Sequence, residues 1–414
     1  MTPGWLTRDR AALLTATLFV LVIGLAIFSR GSIDDELSRD ESIYAYAGQQ
    51  LANGVPPYVS ILDAKTPLSS MIAGVAVMAG RAGAGNDLTT IRLTFFVISA
   101  LTVVAVFLAS LALSGSVMGA LVAAAAFTTF RGFAFDALGG PDAKTPGVLL
   151  AAVCTALLVD RRWLLGGMAA GLAVLVWQPL GLYCVTAVVA AWLAADSGRR
   201  TRLALEALGG VLLPIIATCI YFVAVGAFGS FWESAVLLPI TGTVRPPEDF
   251  GTHVTHIVAT ILAGYGAGGW ILLAGLVALV ALVIGAVWAR RARLGALQRE
   301  PLVTVVLLPL LGITAFSLVD FQGYPDVYPF LLYGALGIGA AASALFIALE
   351  RSSRTPLFAR GFASVMLLVI LVATWTSYSQ PRIESTLLPR QRADADAAAA
   401  LLGPGERLWS LGNP

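Results

Sequence analysis

The chain has 414 residues, of which 58% are hydrophobic and only 12% are charged, and its mean hydropathy is +0.85. These values lie far from those of soluble domains and indicate a polytopic membrane protein. The net charge of +2, with basic residues placed between apolar runs instead of in a tail, excludes nucleic acid as an expected partner.

The cysteines give no sign of a metal site or a disulfide. Cys154, Cys184 and Cys219 all fall in apolar runs, and no zinc-type spacing occurs. We therefore expect no cofactor, although a divalent metal bound by carboxylates stays an open alternative.

The first apolar run, Ala11 to Phe28, predicts a retained membrane span with a cytoplasmic N-terminus. A polar stretch, Ser38 to Pro67, follows it. Ser38 and Glu41 have the spacing of a capping box, and Asn53-Gly54 is a typical helix stop, so the pattern predicts a helix over Arg39 to Ala52.

Arginine clusters between the apolar runs predict which loops are cytoplasmic. Two such clusters, at Arg8/Arg10 and Arg161/Arg162, enclose five apolar runs, whereas two ends on the same side require an even number of crossings. The run Pro67 to Gly80 has only 14 residues, the length of a re-entrant or interfacial helix, so we expect it to lie on the outer face without crossing. The first outer loop is then about 30–92.

The rest of the chain predicts an all-α protein of about 11 transmembrane helices. Further outer loops are expected at about 131–145 and 229–256, the transmembrane domain at 1–390, and an outer tail with a strand-like segment Arg407 to Leu411 at 391–414. His253 and His256, in the third outer loop, are expected to be a solvated or hydrogen-bonded pair in preference to a metal site.

The pentapeptide DAKTP occurs twice, at Asp63 to Pro67 and at Asp142 to Pro146, and it contains the only two lysines of the chain, Lys65 and Lys144. In each copy Thr-Pro predicts a helix start with threonine as the N-cap. A lysine beside the positive end of a helix indicates a phosphate site, to which Arg92 and Arg131 would add. The alternative is a local ion pair between the aspartate and lysine of each copy.

Asp40 and Glu41 open the first polar helix and lie on the same side of the membrane as both lysines. Their simplest role is to complement the helix dipole. The alternative is catalysis. When a sugar is transferred from a lipid phosphate, the phosphate is the leaving group, and because its second pKa is about 6 it needs no general acid. One carboxylate acting as general base then suffices for an inverting displacement.

Asp40-Glu41, Tyr44, Gly54, Tyr58 and Lys65-Thr-Pro-Leu68 resemble the first outer loop of GT-C glycosyltransferases of the protein O-mannosyltransferase and aminoarabinose transferase type. Thr66 stands where that family usually has proline. The resemblance implies a polyprenyl- or dolichyl-phosphate sugar donor, catalysis at the outer face, Asp40 as base and Lys65 near the donor phosphate.

The sequence thus predicts three groups of site residues. The candidates are Asp40 and Glu41 for catalysis, Lys65, Lys144, Arg92 and Arg131 for the donor phosphate, and Tyr44, Tyr58, Asp63, Asp136 and Asp142 for substrate binding. The expected reaction moves a sugar, a mannose-like hexose, to a glycan, lipid or protein acceptor in contact with membrane lipids. A transporter or lipid-carrier flippase, and a subunit without activity, are the alternatives.

Overall fold

The computed structural model describes residues 10–31, 33, 35–241, 249–290, 301–321, 323–352, ten residues scattered over 361–375, and 387–401. All regular elements in this part of the chain are helical. The α-helices are α1 (Arg10–Phe28), α2 (Arg39–Ala52), α3 (Leu68–Ala82), α4 (Asp87–Ser114), α5 (Val117–Thr128), α6 (Arg131–Asp136), α7 (Lys144–Val159), α8 (Trp163–Val176), α9 (Leu182–Ala194), α10 (Arg200–Ala224), α11 (Phe228–Trp232), α12 (Leu238–Thr241), α13 (Phe250–Tyr265), α14 (Ala267–Arg290), α15 (Pro301–Ser317), α16 (Tyr328–Ser352) and α17 (Leu387–Ala400). Short 3₁₀ turns occupy Gln178–Gly181 and Tyr324–Val327, and one π turn spans Glu233–Leu237.

Five stretches are helical, long and apolar enough to cross a membrane. They are Ala11–Phe28, Asp87–Ser114, Arg200–Ala224, Gly268–Gly285 and Tyr324–Leu349. Seven further apolar helices have 10–17 residues, among them α3. The architecture is that of a multi-pass membrane protein. The number of eleven spans, the orientation of the termini and the division at residue 390 stay predictions, and the expected segment Arg407 to Leu411 lies outside the described residues.

The main core is formed by α4, α5, α7, α8, α9 and α16 with their neighbours. Small residues let some of these helices approach until their backbones touch. A methyl group on Gly167 of α8 would lie 2.2 Å from the Ala207 carbonyl oxygen of α10, and one on Gly210 of α10 would lie 2.1 Å from the Leu164 carbonyl oxygen. Such close backbone packing is typical of helices within membranes.

The polar helix α2 has the bounds that the sequence predicts. The Ser38 side chain accepts a hydrogen bond from the Glu41 backbone N–H, and the Glu41 side chain accepts one from Ser38, so the capping box is present. Asn53 ends the helix, and Gly54 follows with φ of +85°. The predicted helix and both of its ends are confirmed.

Helices α2 and α3 pack on the start of α4 around a small separate apolar cluster, which contains Ala45, Ala73, Ala76, Val77, Ile91 and Phe95. On its other side the start of α2 meets α17. The Gln391 side-chain amide donates to the Leu37 carbonyl oxygen at 3.0 Å and accepts from the Leu37 N–H at 3.1 Å. The residue that precedes the N-cap of α2 is therefore held by α17.

The two DAKTP copies start helices at different residues, and threonine caps neither. Helix α3 begins at Leu68 with Pro67 as an N-cap that makes no side-chain hydrogen bond. Helix α7 begins at Lys144, where Asp142 Oδ2 accepts from the backbone N–H groups of Lys144 at 2.9 Å and Thr145 at 3.1 Å. The predicted threonine caps are wrong, because in the second copy the aspartate takes the free amides and its negative charge suits the helix start.

Candidate functional site

The first turn of α2 meets the first DAKTP copy through an ion pair. The Lys65 ammonium group contacts Asp40 Oδ2, and it lies 5.5 Å from the centre of the Tyr44 ring. The Lys65 and Asp40 side chains remain 24% and 47% exposed. Two predicted site residues are thus in direct contact at a place that solutes can reach.

The backbone around Lys65 is fixed by three side chains. Asp63 Oδ1 accepts from the Lys65 N–H at 3.0 Å, and the Tyr58 hydroxyl donates to the Lys65 carbonyl oxygen at 2.7 Å. Gln178 Nε2 donates to the Ala64 carbonyl oxygen at 2.7 Å. The local Asp63–Lys65 ion pair is therefore not formed, since Asp63 holds the backbone of the loop and the ammonium group reaches Asp40.

Tyr58 anchors this loop instead of facing an open site. Its ring packs against Phe222 and Phe231, its side chain is buried, and its backbone φ of +69° lies in the left-handed region. Such a conformation is uncommon for a residue other than glycine and needs support from its surroundings. The hydroxyl bond to Lys65 and the two aromatic contacts supply that support.

The second DAKTP copy forms a more buried ion pair. Lys144 Nζ lies 2.6 Å from Asp326 Oδ1, and the two side chains are only 11% and 7% exposed. The Lys144 ammonium group also lies 5.5 Å from the centre of the Trp177 ring. The local Asp142–Lys144 ion pair is therefore replaced by a pair with a residue next to the start of α16.

Three further residues, Asp326, Trp177 and Gln178, contact the two DAKTP copies and were not predicted from the sequence. Asp326 lies in a short polar loop between two apolar runs, and Trp177-Gln178 precedes a proline that interrupts another. These were the available signals, but only the fold shows that Asp326 and Trp177 contact Lys144 while Gln178 binds the first copy.

The two DAKTP copies lie side by side. The Ser69 hydroxyl, just after the first copy, donates to the Asp142 carbonyl oxygen of the second at 3.3 Å. The charge of Lys144 also acts on Asp40: burial by itself would raise the pKa of Asp40, but Lys65, Lys144 and Arg39 together lower it. Asp40 therefore keeps its negative charge at neutral pH.

Two other carboxyl groups of the site have raised pKa values because they are buried. Burial raises the pKa of Asp63 to about 6, against the opposing hydrogen bond from the Lys65 backbone and the Lys65 charge. Burial also raises the pKa of Glu41, whose carboxylate is held by Ser38. Glu41, predicted as catalytic, thus serves the capping box and lies against the loop between α6 and α7, where a methyl group on Gly139 would be 2.7 Å from Glu41 Oε1.

Asp136 accepts hydrogen bonds from two tyrosines of another loop. The Tyr324 hydroxyl lies 2.8 Å from Asp136 Oδ1, and the Tyr328 hydroxyl contacts Oδ2. Burial raises the pKa of Asp136 to about 7, and the charges of Glu41 and Asp142 act in the same direction, whereas the tyrosine bonds oppose it. This network joins α6 to the loop that carries Asp326.

The two predicted arginines have different surroundings. Arg92 is fully buried and donates to the backbone carbonyl oxygens of Ile33 and Asp35. It therefore holds the segment before α2 and does not present a free guanidinium group to a phosphate. Arg131 lies over the Phe135 ring at 4.7 Å, and none of its contacts within the described residues involves either lysine.

The two histidines of α13 contact the end of α15 and the segment that follows it. His253 Nε2 is 3.0 Å from the Ser317 carbonyl oxygen, and both His253 and His256 meet the Phe321 ring edge-on. Among the residues that the structure describes, no group of three His, Cys, Asp or Glu side chains is arranged to hold a metal ion.

Comparisons with known proteins identify the fold. No family model and no curated protein matches the chain. Among solved structures it is similar to ArnT from Cupriavidus metallidurans, in the apo state (TM-score 0.53, 16% identity) and bound to undecaprenyl phosphate (TM-score 0.55, 15% identity), covering 92% of this chain and 72% and 73% of those chains. It is also similar to an Archaeoglobus fulgidus oligosaccharyltransferase (TM-score 0.54, 13% identity), covering 99% of this chain but only 62% of that one. The expected resemblance to GT-C glycosyltransferases is confirmed at the level of the fold.

Proposed function

We propose that the chain is an inverting glycosyltransferase that moves a mannose-like hexose from a polyprenyl- or dolichyl-phosphate carrier to a glycan, lipid or protein acceptor at the outer face of the membrane. The observation that supports this most is the accessible Asp40–Lys65 ion pair in a fold shared with ArnT, one structure of which is bound to undecaprenyl phosphate. In this pair the Asp40 carboxylate would act as the base, and the Lys65 ammonium group would bind the phosphate.

The ion pair gives an order to the binding events. A lipid phosphate entering the site competes with Asp40 for the Lys65 ammonium group, since phosphate and carboxylate are both anionic acceptors for a lysine. When Lys65 turns to the phosphate, Asp40 loses its main positive neighbour, and burial then raises its pKa. Donor binding thereby makes Asp40 a better proton acceptor.

The transfer itself is a single displacement. The acceptor hydroxyl oxygen forms a bond to C1 of the sugar while the bond from C1 to the phosphate oxygen breaks. The electron pair stays on the leaving lipid phosphate, and the hydroxyl proton passes to Asp40. Because attack and departure occur on opposite faces of C1, its configuration inverts.

Lys144 serves the same site without direct exchange of partners. Its ammonium group is buried against Asp326 and Trp177, so it contributes a fixed positive charge near Asp40 and stabilises the loop that faces Lys65. The phosphate contact falls to Lys65, which is the more exposed of the two lysines.

The test is an assay of purified protein in nanodiscs with a panel of polyprenyl-phosphate hexoses and acceptor extracts. Asp40→Asn should reduce transfer by at least about 100-fold, the usual contribution of a positioned base. Glu206→Gln is the matched control, because it removes the charge of an exposed carboxylate on α10. Its transfer rate should match that of the wild type.

Two results would contradict the proposal at different levels. Wild-type transfer rates in Asp40→Asn would show that another group takes the proton. If the wild-type protein consumes none of the lipid-phosphate hexoses but moves such a lipid between leaflets unchanged, it is a flippase and not a transferase.

A further inference from the structure

Three buried hydroxyl groups around Lys65 have no hydrogen-bond partner within the described residues. They are Tyr44 Oη, above the Lys65 side chain, and Ser60 Oγ and Thr66 Oγ1 in the loop that carries it. Buried polar groups are nearly always hydrogen-bonded, and an unsatisfied one costs about 1–3 kcal/mol. Three such groups, one on α2 and two in the loop that carries Lys65, indicate that a polar ligand completes their bonding.

The Thr66 hydroxyl is free because it does not serve the helix that follows. Thr-Pro predicts a threonine N-cap, yet α3 begins at Leu68 with Pro67 at the cap position, and Thr66 is 8% exposed. In the GT-C pattern that the first loop resembles, proline usually stands at this position and offers no hydroxyl. The Thr66 hydroxyl is thus a polar group for which neither the capping of α3 nor that pattern gives a purpose.

The charges around Tyr44 decide which kind of ligand suits its hydroxyl. Burial raises the pKa of Tyr44 well above its usual value, and the carboxylates of Asp63, Asp142 and Asp40 raise it further. The hydroxyl therefore stays protonated and acts as a donor, and the three carboxylates disfavour an anion that is not paired with Lys65. Neutral ligand hydroxyls fit better, because they can accept from Tyr44 and donate to the carboxylates.

We propose that the hydroxyl groups of Tyr44 and Thr66 form a subsite for the hydroxyl groups of the transferred sugar, while the Lys65 ammonium group binds the donor phosphate. This inference rests on the proposed function and adds the placement of each half of the donor. It assigns Thr66 a binding role, and it makes the sugar end of the donor the part that the orphaned hydroxyls recognise.

The experiment measures binding of two lipids to the full chain in nanodiscs. One is the polyprenyl-phosphate hexose that the wild-type protein binds most tightly in a panel beginning with mannose, and the other is sugar-free polyprenyl phosphate. Thr66→Val keeps the shape of the side chain and removes the hydroxyl. The affinity for the sugar-bearing lipid should fall about 10-fold, the equivalent of one hydrogen bond, and the affinity for the sugar-free lipid should stay within about twofold of the wild-type value. Tyr44→Phe should behave in the same way.

Thr155→Val is the control for the removal of a buried threonine hydroxyl. The Thr155 hydroxyl is satisfied inside α7, where it donates to the Ala151 carbonyl oxygen at 2.8 Å. This variant should leave the affinity for both lipids unchanged. A series of monodeoxy hexose donors adds a second readout: Thr66→Val should lose the wild-type discrimination against one of them, because the partner of that sugar hydroxyl has been removed.

The outcomes separate this subsite from the proposed function. If Thr66→Val lowers the affinity for both lipids equally, the Thr66 hydroxyl contacts the phosphate, and the subsite alone is overturned. Unchanged binding of both lipids in both variants would overturn it too, because the hydroxyls then contact only water. If the wild-type protein binds neither lipid, the proposed function is overturned first and the subsite with it.

Discussion

Lys144 Nζ lies 2.6 Å from Asp326 Oδ1, and both side chains are almost completely buried. The matching lysine of the first DAKTP copy, Lys65, pairs with an aspartate that is about half exposed. One sequence motif therefore forms two kinds of ion pair, a closed one and an open one. The closed pair stabilises the site, and the open pair can exchange partners with a ligand.

The closed pair predicts a large loss of stability when one partner is removed. Asp326→Asn leaves the Lys144 charge buried without a counter-ion and should cost about 3–5 kcal/mol, because buried charges depend on their partners. The double variant Lys144→Met with Asp326→Leu removes both charges and should recover much of that loss. Thermal unfolding of the detergent-solubilised protein measures both effects.

The open pair supplies the comparison. Asp40→Asn should change the stability by no more than about 1 kcal/mol, since partly exposed ion pairs contribute little. An Asp326→Asn variant no less stable than Asp40→Asn would contradict the contrast between the two copies. A double variant as unstable as the single one would show that packing, and not the unpaired charge, is the cause.

A second prediction concerns the pH dependence of transfer. Lys65 and Lys144 lower the pKa of Asp40 against the raising effect of burial. Lys65→Met removes the main positive neighbour, so the pKa of Asp40 should rise and the acidic limb of the kcat/KM profile should move to higher pH. This profile reports the free enzyme, in which the Asp40–Lys65 pair exists.

The control for this profile is Arg81→Met, which removes a cation from an exposed ion pair outside the site. Its acidic limb should coincide with that of the wild type. An unmoved limb in Lys65→Met, together with a normal loss of donor affinity, would show that the limb belongs to a group other than Asp40.

How far the sequence predicts this molecule depends on whether a feature is local. Helix α2 and its capping box were predictable, because Ser38 and Glu41 contact each other within the first turn and Asn53 ends the helix through its own neighbours. The DAKTP repeat and its two lysines predicted a shared site for the two loops, and the structure places these loops side by side. The partners of those lysines were not predictable, because Asp326 and Trp177 come from distant segments that only the packing of the spans brings to Lys144.

The cap residues show the same limit at short range. Thr-Pro is a common helix start. In the first copy, however, Thr66 does not cap α3, and in the second copy Asp142 caps α7. Local preference was overridden in both cases, by a buried loop fixed through Tyr58 and Gln178 in the first and by a better acceptor in the second. Arg92 likewise has the charge of a phosphate ligand but the burial of a structural residue.

A third prediction follows from the pKa of Asp136, which burial raises from 3.8 to about 7. The folded protein holds the proton more tightly than the unfolded chain, so the stability falls as pH rises through this interval and is level above it. Asp136→Asn carries no titrating proton. The variant should therefore gain stability relative to the wild type between about pH 4 and 7, which unfolding at several pH values would measure.

The control for this series is Asp87→Asn, whose carboxylate lies near the surface in the Arg81 pair. Its stability relative to the wild type should not rise with pH over the same interval. A constant difference between Asp136→Asn and the wild type at every pH would mean that Asp136 does not hold a proton in the folded state.

The last prediction tests how α2 is positioned. Gly48 faces α3 so closely that a methyl group on it would lie 2.7 Å from Ala73 Cβ and 2.9 Å from the Gly74 backbone nitrogen. Gly48→Ala should therefore push α2 away from α3 and cost about 1–3 kcal/mol, the usual range for overpacking. Since Asp40 lies on α2, transfer activity should fall as well.

The matched control is Gly209→Ala on α10, where a methyl group would meet nothing within 4 Å. Alanine is the better helix former, so this variant should be as stable as the wild type or more stable by up to about 1 kcal/mol. Melting temperatures and transfer rates of the two variants give the comparison. If Gly48→Ala melts like Gly209→Ala but loses activity, α2 can shift without cost and the placement of Asp40 alone is disturbed. If it keeps both stability and activity, the close packing of α2 on α3 is not what positions the ion pair of Asp40 with Lys65.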